Sequence, residues 1–90
     1  MKECILACNA IHNREALHDA LAESLCFPDY YGRNLDALAD CLSEIGEPTR
    51  LILRHWQILD DRLGDYAGKL VYVLHRASEE NPMVRIELEG

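Results

Sequence analysis

Three acidic residues, Asp36, Asp40 and Glu44, recur four positions apart directly after a pair of tyrosines, Tyr30 and Tyr31. On a helix they share one face, where each like-charge pair costs about 0.2–0.5 kcal/mol, so stability alone favours a lysine at one of these positions. Aromatic side chains beside charge are typical of protein interfaces. The pattern favours a surface that binds a cationic protein, while a solvated helix face without a partner is the alternative.

Histidines and cysteines are the other residues that could do chemistry, but their spacing matches no catalytic motif. The chain has four of each and lacks a Gly-x-Ser-x-Gly elbow, a phosphate-binding glycine loop and a His-Glu-x-x-His pair. Cys4 and Cys8 with His12 suggest a metal site, although their spacing fits no common zinc pattern. We expect free, mostly buried thiols, no cofactor and no enzymatic activity. An enzyme that uses a Cys/His pair is the remaining alternative.

Composition and charge restrict the class of protein and of partner. Ninety residues, 49% hydrophobic and 28% charged, predict a single domain over residues 1–90 with one modest core. The net charge of −7 disfavours direct binding to nucleic acid and suits a basic protein partner. Since no apolar run is long enough to cross a membrane and the N-terminus does not resemble an export signal, we expect a cytoplasmic monomer.

The apolar periodicity predicts an alternation of strands and helices. Asn13 and Asn34 are predicted helix N-caps, Asp65 a third, and Gly32 a position that needs positive φ. Residues 4–8 form a continuous apolar run, which predicts a strand buried on both faces. The predicted elements are a strand at 4–8, helices at 14–25 and 35–45, a strand at 51–53, helices at 55–63 and 65–80, and a strand at 83–88.

This order of elements predicts an α/β fold. Strands separated by helices require crossover connections, which place the strands parallel and the helices against the sheet. We therefore predict a three-stranded parallel sheet with four helices packed against it.

Residues 27–42, which read FPDYYGRNLDALADCL, closely resemble the loop and second helix of the barstar family of intracellular ribonuclease inhibitors. The chain length, the order of elements and Leu17-His18 in the first helix agree with this resemblance. It implies the same sheet with flanking helices, and a function in which the second helix and the preceding loop block a ribonuclease active site. Toxin immunity is the biological role that follows from it.

The resemblance also implies roles for individual residues. Tyr30 would pack over the catalytic cleft, Gly32 and Asn34 would shape the loop, Asp36 would pair with a basic residue, and Asp40 would enter the phosphate site of a basic, secreted-type ribonuclease or nuclease toxin. The complete predicted partner-binding surface comprises Tyr30, Gly32, Asn34, Leu35, Asp36, Ala39, Asp40, Ser43, Glu44, Arg76 and Glu80.

Two positions depart from the family pattern. The family carries a tryptophan where this chain has Ala39, and an acidic residue where this chain has Arg76. Loss of an aromatic contact and reversal of a charge would weaken or redirect binding, because specificity includes repulsive terms. The alternative function is therefore a non-inhibitory interaction module that binds another basic protein through the same face.

Overall fold

The computed structural model describes residues 1–90 and confirms the predicted α/β architecture. Strands β1, β2 and β3 form one parallel sheet with β2 in the middle, in the register Cys4–Leu51–Ile86. The elements are β1 (Lys2–Ala7), a 3₁₀ turn (Cys8–Ala10), α1 (Arg14–Leu25), α2 (Leu35–Ser43), β2 (Thr49–Arg54), α3 (Trp56–Leu63), α4 (Asp65–Glu80) and β3 (Val84–Leu88).

The hydrophobic core lies between one face of the sheet and the helices. Leucines with little or no exposed surface come from the strands and from all four helices, and they form one continuous cluster that is stabilised by removal of apolar surface from water. The residues at its centre include Leu6, Leu17, Leu21, Leu38, Leu42, Leu51, Leu53, Leu59, Leu70 and Leu74.

The opposite face of the sheet carries no helix and is covered by its own charged side chains. Arg50 of the central strand pairs with Glu3 on one side and with Glu87 on the other. Ile5 lies on this face and is 48% exposed. The prediction that the first strand is buried on both faces is therefore wrong: β1 is an edge strand with alternating burial, and Cys8 already belongs to the following turn.

The helix boundaries follow from local hydrogen bonds. The side chains of Asn13 and Asn34 accept hydrogen bonds from the third residue after each of them, both at 2.7 Å, which confirms the two predicted N-caps. Asp65 is not a cap, since α4 begins at that residue and Gly64 precedes it with φ at 56°. Helix α2 ends at Ser43 rather than extending to Ile45. None of the helices is long and apolar enough to cross a membrane.

The end of α2 is fixed to the end of α4 by a single amide. The side-chain N–H₂ group of Asn81 donates to the carbonyl oxygens of Leu42 and Ile45, both at 2.9 Å, and its oxygen accepts from the N–H of Met83. Carbonyls at a helix C-terminus have no partner within the helix, so these bonds satisfy them and set the position of α2.

Replacement of Asn81 by aspartate is expected to lower the free energy of unfolding by about 1–3 kcal/mol. The substitution keeps the side-chain shape but removes both donors and places a negative charge against carbonyl oxygens at a helix C-terminus. Urea denaturation measures the effect, with Asn9→Asp at an exposed position as the matched control. Equal stability of the two variants would contradict the assigned role.

Candidate protein interface

Helix α2 has one buried and one acidic face. Leu38 and Leu42 are fully buried against the core, whereas Asp36, Asp40 and Glu44 are exposed. No lysine or arginine forms an ion pair with any of the three carboxylates. We call Asp36, Asp40 and Glu44 the acidic stripe. Its carboxylates face solvent without an ion-pair partner in this chain.

The arginines that could neutralise the acidic stripe pair elsewhere. Arg33, directly before α2, binds Asp19 of α1 at 2.7 Å, and Arg76 of α4 binds Glu80 at 2.9 Å. Arg14, which lines a shallow groove with Asp36, lies over the ring of Tyr66 with 4.4 Å between its guanidinium carbon and the ring centroid. Arg76 and Asp40 do not form an ion pair, so Arg76 does not neutralise Asp40 directly.

The loop before α2 presents one tyrosine and buries the other. Tyr30 is 85% exposed, whereas Tyr31 is 7% exposed and packs against Phe27. The prediction of a positive φ at Gly32 is wrong. The residue with a left-handed backbone in this loop is Arg33, with φ at 55°. A Cβ atom at Gly32 would lie 3.3 Å from both the Ala37 Cβ and the Asn34 amide nitrogen, so close packing is the constraint there.

A buried histidine fixes the position of this loop. The Nδ1 and Nε2 atoms of His18 lie 2.6 Å from the Tyr31 hydroxyl and 2.7 Å from the Tyr66 hydroxyl. These bonds connect the loop to α1 and α4. Burial lowers the pKa of His18. The nearby Asp19 raises it and Arg33 lowers it, both by less than burial does. Burial also raises the pKa of Tyr31 and of Tyr66.

Four of the five remaining predicted site residues line a groove between α2 and α4. Ala39 and Ser43 of α2 face Arg76 and Glu80 of α4 across it, and Leu35 is half-buried at the start of α2. Sequence reasoning missed Tyr72, which is 62% exposed and lies one helical turn before Arg76 in the same groove. The sequence does contain a signal for Tyr72: it lies four positions before Arg76, so the two side chains share one face of the helix.

Comparison with known proteins gives the family. The family model described as "Barstar (barnase inhibitor)" matches residues 1–89. The chain is also 43% identical over 81 residues to a Bacillus subtilis (strain 168) protein named "Putative ribonuclease inhibitor YrdF", with 89% of each chain covered. The chain belongs to the barstar family.

The cysteines of this barstar-family chain are all free. Cys4 and Cys8 are buried, and burial raises the pKa of the Cys8 thiol to about 11. Cys41 is half-buried, and burial is the main cause of its raised pKa. Cys26 is exposed and is the one exception to the expectation of buried thiols. The structure groups no three His, Cys, Asp or Glu side chains in an arrangement that could hold a metal ion.

Acidification below pH 6.5 is expected to destabilise this barstar-family fold through His18. The pKa of His18 is lowered from 6.5 by burial, so the unfolded chain takes up a proton at higher pH than the folded chain. The stabilising contribution of the neutral ring is complete above 6.5 and is lost as the pH falls toward the folded-state pKa. Urea unfolding at pH values from roughly 7.5 to 5.5 measures this loss.

His18→Gln should remove this part of the pH dependence, whereas His12→Gln at an exposed position should retain it. Parallel pH profiles for the wild type and His18→Gln would show that another group is responsible.

Proposed function

We propose that this barstar-family protein inhibits a basic ribonuclease or related nuclease toxin by occupying its active site with the acidic stripe and Tyr30. The observation that carries the proposal is that Asp36, Asp40 and Glu44 have no internal cation partner and lie beside a tyrosine that is 85% exposed. The name of the Bacillus subtilis relative supports a ribonuclease as the target.

Electrostatics explains how such a surface inhibits a nuclease. A nuclease active site is organised to bind phosphate, so its cationic groups are already arranged for an anion. A carboxylate held on a rigid helix uses this arrangement, and the surrounding negative field accelerates association. In this proposal Asp40 enters the phosphate site, Asp36 pairs with a basic residue at its edge, and Glu44 contributes to the long-range field.

The loop supplies the apolar part of the interface. Tyr30 has nearly all of its surface available, and a tyrosine buries a large area with little loss of side-chain entropy. Gly32 and Asn34 hold the loop: the Asn34 amide donates to the Gly32 carbonyl oxygen at 3.2 Å while its oxygen caps α2. The loop therefore needs little reordering when it binds, which reduces the entropic cost.

The proposal assigns no reaction to the chain. The protein acts in the cytoplasm as a monomer that forms a one-to-one complex, protects the cell from a nuclease and does not contact nucleic acid itself. The net charge of −7 suits this role, because it repels RNA and attracts a basic enzyme.

Asp40→Ala and Tyr30→Ala are each expected to weaken inhibition of the target ribonuclease by roughly 30-fold or more, the size of an interface hot spot. Titration of the purified protein into assays with secreted basic ribonucleases measures the inhibition constant. Asp61→Ala on α3 is the matched control, since Asp61 is exposed and lies outside the proposed surface.

Two results would contradict the proposal. One is that the wild type inhibits none of the ribonucleases. The other is that Asp40→Ala and Asp61→Ala inhibit equally well. If the acidic stripe binds a basic protein that is not a nuclease, the interaction module replaces the inhibitor as the function.

A further inference from the structure

A groove between α2 and α4 lies next to the acidic stripe, and the proposed function assigns it no role. It has a volume of about 340 Å³ and is open to solvent. Ala39 lies at its edge on α2, directly before Asp40 in the sequence. A partner bound to Asp40 therefore also covers this groove.

The base of the groove is apolar and its polar groups are already occupied. Ala39, the half-buried Val73 and the buried Ala77 supply apolar surface. The Asn81 amide donates to the carbonyl oxygens at the end of α2, and the Ser43 hydroxyl donates to the Asp40 carbonyl oxygen at 2.6 Å. Because these two groups have partners, an apolar side chain that packs on the base of the groove leaves neither of them unsatisfied.

The wall of the groove on α4 carries an aromatic ring and a cation. Tyr72 is 62% exposed, and one N–H group of Arg76 lies 3.4 Å from its hydroxyl. Another N–H group of Arg76 donates to Glu80 at 2.9 Å, and its Nε makes no hydrogen bond. Both members of this ion pair are more than half exposed, so solvent screens the pair and the guanidinium retains donors for a second carboxylate.

We propose that the groove receives an aromatic side chain of the inhibited nuclease, next to a carboxylate that pairs with Arg76. This inference rests on the proposed function and defines its partner further. The ring fits between Ala39 and Tyr72. Its contact with the Tyr72 ring and its stacking on the guanidinium plane of Arg76 both stabilise the complex. The carboxylate complements Arg76, the one cation that lines this groove.

The occupant belongs to the nuclease because the groove is continuous with the acidic stripe. A second copy of this chain would bring another net charge of −7 against the same surface, which opposes self-association. Asp40 then provides affinity for any cationic phosphate site, and the groove selects nucleases that have an aromatic and an acidic residue at the edge of that site.

A first experiment tests the groove without a nuclease. Indole-3-propionate, an aromatic ring with a carboxylate, is titrated into the ¹⁵N-labelled full chain and followed by amide chemical shifts. We expect saturable shifts at Ala39, Tyr72 and Ala77 with roughly millimolar affinity. Tryptamine, the same ring with an amine, should bind at least about five-fold more weakly because it meets Arg76. Ala39→Trp, which fills the groove, should abolish both.

The fragment results separate the possible ligands. Shifts outside the groove, no saturation, or binding unaffected by Ala39→Trp would overturn the inference. Equal or tighter binding of tryptamine would also overturn it, because Glu80 rather than Arg76 would then define the ligand.

A second experiment uses a ribonuclease that the wild type inhibits. Ala39→Trp and Arg76→Glu should each weaken inhibition by at least about tenfold, since one blocks the groove and the other repels the carboxylate. Arg85→Glu, at an exposed arginine on the open face of the sheet, is the matched charge reversal and should have no effect.

These outcomes distinguish the groove from the proposed function. If Asp40→Ala loses inhibition while both groove variants retain it, the groove inference is overturned and the inhibitor function stands. If the wild type inhibits no ribonuclease, the inhibitor function is overturned. The inference that a nuclease occupies the groove is then overturned as well. Self-association in analytical ultracentrifugation that Ala39→Trp removes would identify a second copy as the occupant, which also overturns the inference.

Discussion

The separation of arginines from the acidic stripe is the constraint on which the interface depends. Arg33 directly precedes α2 but pairs with Asp19 of α1, and Arg76 lies across the groove from α2 but pairs with Glu80 of its own helix, α4. If either paired with Asp40, the helix would gain a weak surface ion pair and lose the charge that it offers to a partner. The structure thus keeps an unfavourable row of charges, whose cost of a few tenths of a kcal/mol per pair the fold tolerates.

The rest of the fold holds this row of charges in a fixed orientation. Leu38 and Leu42 anchor one side of α2 in the core, Asn34 caps its start, and Asn81 binds the carbonyls at its end. His18 connects the preceding loop to two further helices through tyrosine hydroxyls. A partner therefore meets a surface that is already arranged, so that little binding free energy is spent on ordering it.

Local patterns predicted the parts of this arrangement that depend on neighbouring residues. The N-cap at Asn34 and the exposure of the acidic stripe follow from residue type and helical period alone. Properties set by distant contacts were not predictable. The run at β1 is uniformly apolar in sequence, but its position at the edge of the sheet, on a face that carries no helix, leaves Ile5 exposed. Tyr72 was missed because only the packing of α4 against α2 brings it to the same groove as Ala39.

Competition with a substrate analogue measures active-site occupation most directly. A non-hydrolysable dinucleotide is bound to the target ribonuclease, and this protein is added at increasing concentration while displacement is followed by fluorescence. If Asp40 occupies the phosphate site, the two ligands exclude each other, and the apparent dissociation constant of the protein rises linearly with dinucleotide concentration. A ternary complex, with an apparent dissociation constant that does not change with the dinucleotide, would contradict the account.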